Sequence, residues 1–244
     1  MNLVEAKESL FKNGYCDFDL KDFSEESYDA FLKIKYNTSD IDYLERFTRV
    51  RFDYMDDEKN IHIQSNDLFD NFEKANNEKN RLINLHNEEF AAQLWLKSNN
   101  VPQEHDSRII PQTYYKILKH FYNQTKDYVR CGLQWTCYSE GCFLKDHNDG
   151  QGDEYQNTCA ILIYLNDEWE EEWGGNLLLR NTKIANSLDI KTSHKVVPKF
   201  GRVAIIDLEV FDTAHAVEKI IGNHNRITLL AFATHIEKRK PKYI

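Results

Sequence analysis

The sequence predicts an α+β protein with a mainly β core: a sandwich or barrel of short strands in its second half, buttressed by helices from the first. Three observations carry this. Of nine glycines only Gly14 precedes residue 131, while Gly132, Gly141, Gly150, Gly152, Gly174, Gly175, Gly201 and Gly222 follow it. Glycine supplies the positive-φ positions of tight turns and bulges, so the turns gather in the second half. There the apolar runs are also short and closely spaced, with no helical pattern between them, which argues against a parallel α/β sheet. Before residue 131, by contrast, the clearest apolar spacing is that of a helix face.

Taken in order, Leu3 to Lys12 reads as a short helix closed by Asn13-Gly14. A second starts near Ser24, where the serine caps, Glu25 and Glu26 suit the positive end of the dipole, and Tyr28, Phe31 and Leu32 share a face. From Asn37 to Asn80 the chain is polar, with clusters such as Asp56-Asp57-Glu58-Lys59-Asn60, and reads as helical fragments and loops. Glu88 to Lys97 reads as helical through Phe90, Leu94 and Trp95. Thr113 to Tyr128 is the best helix, with Tyr114, Ile117, Leu118, Phe121 and Tyr122 at helical spacing. After Arg130 come strands at Leu133–Tyr138, Thr158–Leu165, Asn176–Arg180, Arg202–Leu208, Thr213–Val217 and Arg226–His235. The nearly continuous apolar run from Thr158 to Leu165 predicts burial on both faces. The organisation expected is a helical support, residues 1–130, carrying a polar insertion over about 37–106, and a β core, residues 131–244, the two forming one domain.

Composition excludes several classes. Forty acidic against 31 basic side chains give a formal charge of −9, and neither half is basic, with 18 basic and 24 acidic residues up to Arg130. A protein built to neutralise phosphates needs surplus positive charge, so no nucleic-acid partner is expected. Aromatics at 13% do not suit a disordered chain. No apolar run approaches the roughly 20 residues of a membrane helix, and the N-terminus lacks the basic start and apolar core of a signal peptide. Five cysteines without a closely spaced pair fit reduced thiols and a cytoplasmic location. The basic tail Lys238-Arg239-Lys240-Pro241-Lys242 reads as a solvated end.

Of nine histidines, His147 stands out in His147-Asn148-Asp149, because residues two apart on a strand project to one face. His215, in the later strand Thr213–Val217, can join them if the β structure closes. Two histidines and one carboxylate form the facial triad of non-haem Fe(II) oxygenases, which leaves further coordination positions open. Arg226 follows eleven residues later with Thr228 on the same face. A permanently charged fork beside a hydroxyl suits the far carboxylate of a dicarboxylic acid. A surface salt bridge is the alternative, but an Arg opening the apolar run Ile227–Ala233 would then be a burial liability.

Cys131 to His235 resembles the Fe(II)/2-oxoglutarate-dependent oxygenases, and within them the prolyl-hydroxylase-like group. The residues that carry the resemblance are Tyr138-Ser139-Glu140-Gly141, His147-Asn148-Asp149, Tyr164-Leu165-Asn166 with Trp169, Gly174-Gly175-Asn176-Leu177, Pro198-Lys199-Phe200-Gly201-Arg202, His215-Ala216-Val217 and Arg226-Ile227-Thr228, all in the family's order. The resemblance implies a double-stranded β-helix, a jelly-roll or cupin-like fold with helices against one sheet. It implies Fe(II) held by His147, Asp149 and His215, with dioxygen and the cosubstrate 2-oxoglutarate, and ascorbate as a candidate reductant. Arg226 would pair with the distal carboxylate of 2-oxoglutarate, assisted by Tyr164 and, as a further candidate, Thr228. Tyr138 matches a tyrosine lining the cosubstrate pocket, with core packing as the alternative. The carboxylate of Asp149 favours hydroxylation over halogenation, since halogenating relatives lack it.

For the substrate, the resemblance puts first a prolyl residue in a protein or peptide. Gly14-Tyr15-Cys16 with Leu20-Lys21-Asp22-Phe23-Ser24 also resembles the start of phytanoyl-CoA-type oxygenases, which keeps a free amino acid or small metabolite open. Nucleobase repair is disfavoured by the acidic charge and by the lack of a second Arg soon after Arg226. A non-catalytic β-barrel with a structural metal is the remaining class, although such a site has no use for a carboxylate clamp. The polar stretch 37–106 reads as a substrate lid, a docking surface or a loosely ordered insertion. Trp169-Glu170-Glu171-Glu172-Trp173 reads as a solvated hairpin loop.

Overall fold

The computed structural model describes residues 1–38, 48–55, 61–65, 68–69, 72–86, 91–96, 109–122, 132–149, 157–181, 193–208 and 213–234. The acidic cluster at 56–60, Cys131, His105, His235 and the basic tail lie outside the described residues.

Helix α1 (Leu3–Asn13) forms where predicted, and its ends explain why. Asn2 accepts from the backbone of Val4 and Glu5 while Glu5 returns a bond to the Asn2 N–H, a capping box. Gly14, at φ 83°, closes the helix by donating its N–H to Leu10. The chain then runs through strand β1 (Tyr15–Asp19), which the sequence reading missed, and a single turn α2 (Leu20–Phe23). Helix α3 (Glu25–Thr38) follows, its predicted cap Ser24 accepting from the Ser27 N–H at 3.2 Å.

The polar stretch departs most from expectation. A helical fragment is there, α4 (Phe72–His86), but the described residues before it form strands β2 (Thr48–Met55), β3 (Ile61–Ser65) and the two-residue β4 (Leu68–Phe69). Residues 91–96, expected to be helical, form strand β5 (Ala91–Leu96). Five or six apolar residues cannot separate a strand from a helix turn by periodicity, and backbone pairing with distant strands decides here. Helix α5 (Ile109–Tyr122) starts four residues before the expected Thr113, and the expected extension to Tyr128 lies outside the described residues.

The remaining strands are β6 (Gly132–Tyr138), β7 (Phe143–His147), β8 (Asn157–Tyr164), β9 (Leu177–Asn181), β10 (His194–Val196), β11 (Arg202–Asp207), β12 (Thr213–Val217) and β13 (Arg226–Thr234). All pair antiparallel, in the order β1-β11-β8-β13-β6 on one side and β7-β12-β9-β10 on the other. Strand β5 pairs with both β6 and β7 and so joins the two sheets along one seam. At the opposite seam, among the described residues, no backbone pairing joins β1 to β10; His194 reaches Asp17 at 2.5 Å and stacks on Tyr15.

Alternation along the strands builds two cores. Cys159, Ile161 and Ile163 of β8 face outward with Val203, Ile205, Leu229 and Ala231, and helices α1, α3 and α5 cover them with Leu10, Phe31, Tyr114 and Phe121. Tyr114 fixes this layer by donating its hydroxyl to the Leu229 carbonyl at 2.8 Å. The alternate residues Ala160, Leu162 and Tyr164 face inward, where Leu177, Leu179 and Val217 of the second sheet meet them. Every residue from Cys159 to Leu165 is buried, as the apolar run predicted. Two antiparallel sheets with helices on one outer face are the double-stranded β-helix arrangement expected.

Candidate functional site

Strands β7 and β12 lie side by side with His147 directly opposite His215, the imidazole centroids 4.3 Å apart. Asp149 follows two residues after the end of β7, so it is a loop residue and not, as expected, on the strand. Its carboxylate nevertheless reaches both rings, Oδ1 at 3.5 Å from His147 Nε2 and Oδ2 at 3.7 Å from His215 Nε2. One donor atom from each of the three lies within 4.8 Å of the others. Adjacent ligands of a six-coordinate first-row ion, at bonds of about 2.1 Å, stand about 3 Å apart, so the cluster needs only a small contraction to hold one. The three residues are thus brought together, from positions nearly 70 apart in sequence.

The imidazoles are prepared for this in different ways. His147 Nδ1 lies 2.9 Å from the Lys145 carbonyl, which holds the proton there and leaves the Nε2 lone pair for a cation. Burial works against a charge on His147, but Asp149 outweighs it and lifts the ring above the usual histidine range. His215, deeper at 8% exposure, is driven the other way: burial lowers it to about 4, so it is neutral at physiological pH. The Lys145 carbonyl was not foreseen, since a backbone contact leaves no residue-type signature. Beside the cluster, Arg180 of β9 pairs with Asp146, which offsets one acidic charge at its edge.

Arg226 opens β13 opposite Tyr138 and is 1% exposed. It donates to the Thr228 hydroxyl at 3.1 Å and to the Tyr164 hydroxyl at 3.2 Å, while its Nε is buried with no hydrogen-bond partner. The guanidinium lies 4.9 Å from the Tyr164 ring and 5.3 Å from the Tyr138 ring. Among the described residues no carboxylate pairs with it. A buried guanidinium answered only by neutral groups is costly, and an anion is the partner its fork is shaped for. Burial pushes the Tyr164 phenol up, Arg226 opposing, so the ring keeps its proton; accepting from Arg226, it can donate that proton's bond to the same anion. Arg226, Tyr164, Thr228 and Tyr138 therefore stand together, a donor set whose chemistry suits a carboxylate.

The pair Gly174-Gly175 explains how a chain can run so close to this fork. Gly175 sits at φ 66°, and a Cβ there would stand 3.0 Å from Trp169, 3.1 Å from Ile220 and 3.2 Å from Arg226 Cδ. At Gly174 a Cβ would fall 2.0 Å from the Lys219 carbonyl oxygen. Two residues on, Leu177 pairs with Val217, two residues from His215, so this contact ties the guanidinium to the strand that bears a triad histidine. The tryptophans of the presumed hairpin loop also contribute. Glu170, Glu171 and Glu172 are exposed as expected, but Trp169 is buried against Gly175 and donates its indole N–H to the Gly174 carbonyl at 2.9 Å. Trp173 stacks on His224 at 3.8 Å.

Residues 133–233 match the family model of the 2OG-Fe(II) oxygenase superfamily. Similar solved structures include a prolyl-4-hydroxylase from Pseudomonas putida, 14% identical, with 98% of this chain and 100% of that one covered at a TM-score of 0.56. A Trichoplax adhaerens prolyl hydroxylase, solved with a fragment of the hypoxia inducible factor oxygen degradation domain, is also 14% identical, with 96% and 89% covered and a TM-score of 0.55. The α-ketoglutarate-dependent carbocyclase SnoK from nogalamycin biosynthesis is 11% identical, with 95% and 83% covered and a TM-score of 0.51.

Proposed function

We propose that the chain is a 2OG-Fe(II) oxygenase, as the match of residues 133–233 to that superfamily's model supports, and that it hydroxylates an unactivated C–H bond of a prolyl residue in a protein or peptide. His147, Asp149 and His215 would hold Fe(II), and Arg226 with Tyr164 and Thr228 would receive the distal carboxylate of 2-oxoglutarate, with Tyr138 beside it. Bound Fe(II) supplies the redox chemistry that couples oxidative decarboxylation of 2-oxoglutarate to oxygen insertion. The residues of this chain bind and orient: Lys145 fixes the His147 tautomer, burial keeps His215 neutral, and Arg226 supplies the charge for the cosubstrate from a buried position. Residues 1–130 and 131–244 work as one unit in this reading.

The observation that carries it is the buried guanidinium of Arg226, without a carboxylate among the described residues, on a strand of the sandwich that also assembles the triad. The prolyl assignment is supported by the two prolyl hydroxylases among the structural neighbours; the likeness to SnoK supports the second reading, a small-molecule substrate. Anaerobic addition of Fe(II) and 2-oxoglutarate should give a metal-to-ligand charge-transfer band, and its absence sinks the enzyme reading. Incubation with peptide and metabolite pools, read by mass spectrometry, should then add oxygen to a peptidyl proline. Oxygen only on free metabolites would replace the first reading by the second.

A further inference from the structure

Helix α4 belongs to the polar stretch whose purpose the sequence left open, and it is anchored on the β core through a lysine. Lys79 is 1% exposed, and its ammonium donates to the Ser139 hydroxyl at 2.9 Å and to the Glu140 carbonyl. Ser139 passes its own proton back to Asn76, one turn earlier on the same helix, at 3.0 Å. Ala75, Leu82 and Ile83 of α4 join the inner core, and Ile83 lies 3.6 Å from where a Cβ of Gly141 would stand. Among the described residues no carboxylate pairs with Lys79. Burial pulls its ammonium below the usual lysine range.

An ammonium buried against neutral acceptors is a net cost, and an apolar side chain of similar volume would suit bare packing better. What it holds is therefore informative. Ser139 directly follows Tyr138, whose ring covers Arg226. The turn it opens is closed by Cys142 N–H to the Ser139 carbonyl at 2.9 Å, and Gly141 N–H reaches Ile220 at 2.9 Å, the residue that packs on Gly175. One turn thus follows Tyr138 and supports Gly175, the first beside the Arg226 guanidinium and the second beside its Cδ. His147 is several residues further on, held by its own pairing with β12.

We propose that Lys79 is a positioning residue for the cosubstrate pocket: from α4 it fixes Ser139 and Glu140, and so keeps Tyr138 seated over Arg226. It rests on the assignment of that pocket to 2-oxoglutarate. The polar stretch then contributes a brace to the site and not only a cover.

The test is Lys79→Met beside Ser139→Ala in the full chain, with 2-oxoglutarate titrated anaerobically into the Fe(II) protein and Fe(II) affinity and thermal midpoint measured separately. Lys79→Met should raise the 2-oxoglutarate dissociation constant about tenfold, leave that for Fe(II) within about twofold, and keep the thermal midpoint at or above wild type. Ser139→Ala should weaken 2-oxoglutarate by a smaller factor in the same direction. In the metal-free protein, amide exchange at Ser139–Cys142 should quicken in both variants while β12 is unchanged. An unchanged 2-oxoglutarate constant overturns the proposal, as does a parallel fall of thermal midpoint and both affinities, which marks a packing role. Weakening in Lys79→Met but not in Ser139→Ala would mean through-space attraction of an anion, and also overturns it. Should Lys79→Met fail to fold, Ser139→Ala decides alone: normal cosubstrate binding refutes the brace. A wild type that never binds 2-oxoglutarate would instead refute the pocket assignment.

Discussion

The two ends of the candidate site are built on opposite principles. At the triad, side chains remain between a tenth and a third exposed, two strands and a loop meet, and the carboxylate stands between two imidazoles of opposite tendency. At Arg226 the group is sealed, its neighbours are aromatic rings and hydroxyls, and the nearest turn needs glycine at two consecutive positions. The partly open end suits a cation that must keep positions for exchangeable ligands. The sealed end suits a permanent anchor, because a charge pair gains most where water is excluded. Metal affinity and cosubstrate affinity should accordingly be separable by mutation.

The largest effects come from removing each end's defining group. Asp149→Ala should bring turnover to background and weaken Fe(II). Arg226→Ala should leave Fe(II) affinity intact while weakening 2-oxoglutarate about a hundredfold, on the order of 3 kcal/mol for one partner of a buried charge pair. Paired Fe(II) and 2-oxoglutarate titrations of both variants check this, and equal loss of both ligands in either one would erase the contrast. Gly175→Ala sharpens it with a smaller effect. Its positive φ and the 3.2 Å approach to Arg226 Cδ predict a several-fold loss of 2-oxoglutarate affinity without loss of Fe(II), with destabilisation of about 1–2 kcal/mol read by denaturant titration.

The smallest effect lies away from both ends, at the seam where side chains join β1 to β10. Burial raises the Asp17 carboxyl, but the hydrogen bond and charge of His194 and the charge of Arg202 outweigh it and hold it below the usual carboxylate range. A carboxyl depressed in the folded state contributes stability that is complete above its unfolded value, near 3.9, and is lost as pH falls through the folded one. The stability gap between wild type and Asp17→Asn should therefore narrow below about pH 4. Thermal midpoints across pH 3–7 measure it, and both ligand affinities should stay unchanged at pH 7.

Strands β6, β8, β9, β11, β12 and β13 were legible through local signals such as the unbroken apolar run at Thr158–Leu165 and nearby glycine turns, whereas the short β1 and β10 carry no such signal and were not. The triad was legible because residue type and spacing suffice to nominate His147, Asp149 and His215. Strand β2 was legible too and was missed, since Arg49, Arg51 and Asp53 alternate with Val50, Phe52 and Tyr54 in a stretch judged only for helical period. Strand β5 was not legible: its six residues carry no decisive period, and pairing with β2, β6 and β7 fixes their conformation. Lys79 was equally hidden, because nothing local marks one lysine of a polar helix as buried 60 residues from its acceptor.

Strand β1 carries a consequence for the birth of the molecule. Among the described residues its strand partner is β11, with Tyr15 opposite Ile206 and Asp19 opposite Arg202, so nearly the whole chain must leave the ribosome before they can meet. At synthesis rates of about 5–20 residues per second, that is a wait of roughly 10–40 s. Throughout it Cys16 and Phe18 lack the barrel side of their core, with only helix residues such as Phe23 and Phe121 to pack on, and contacts this distant in sequence slow folding after release as well. The earliest strand to be made is among the last that can be placed.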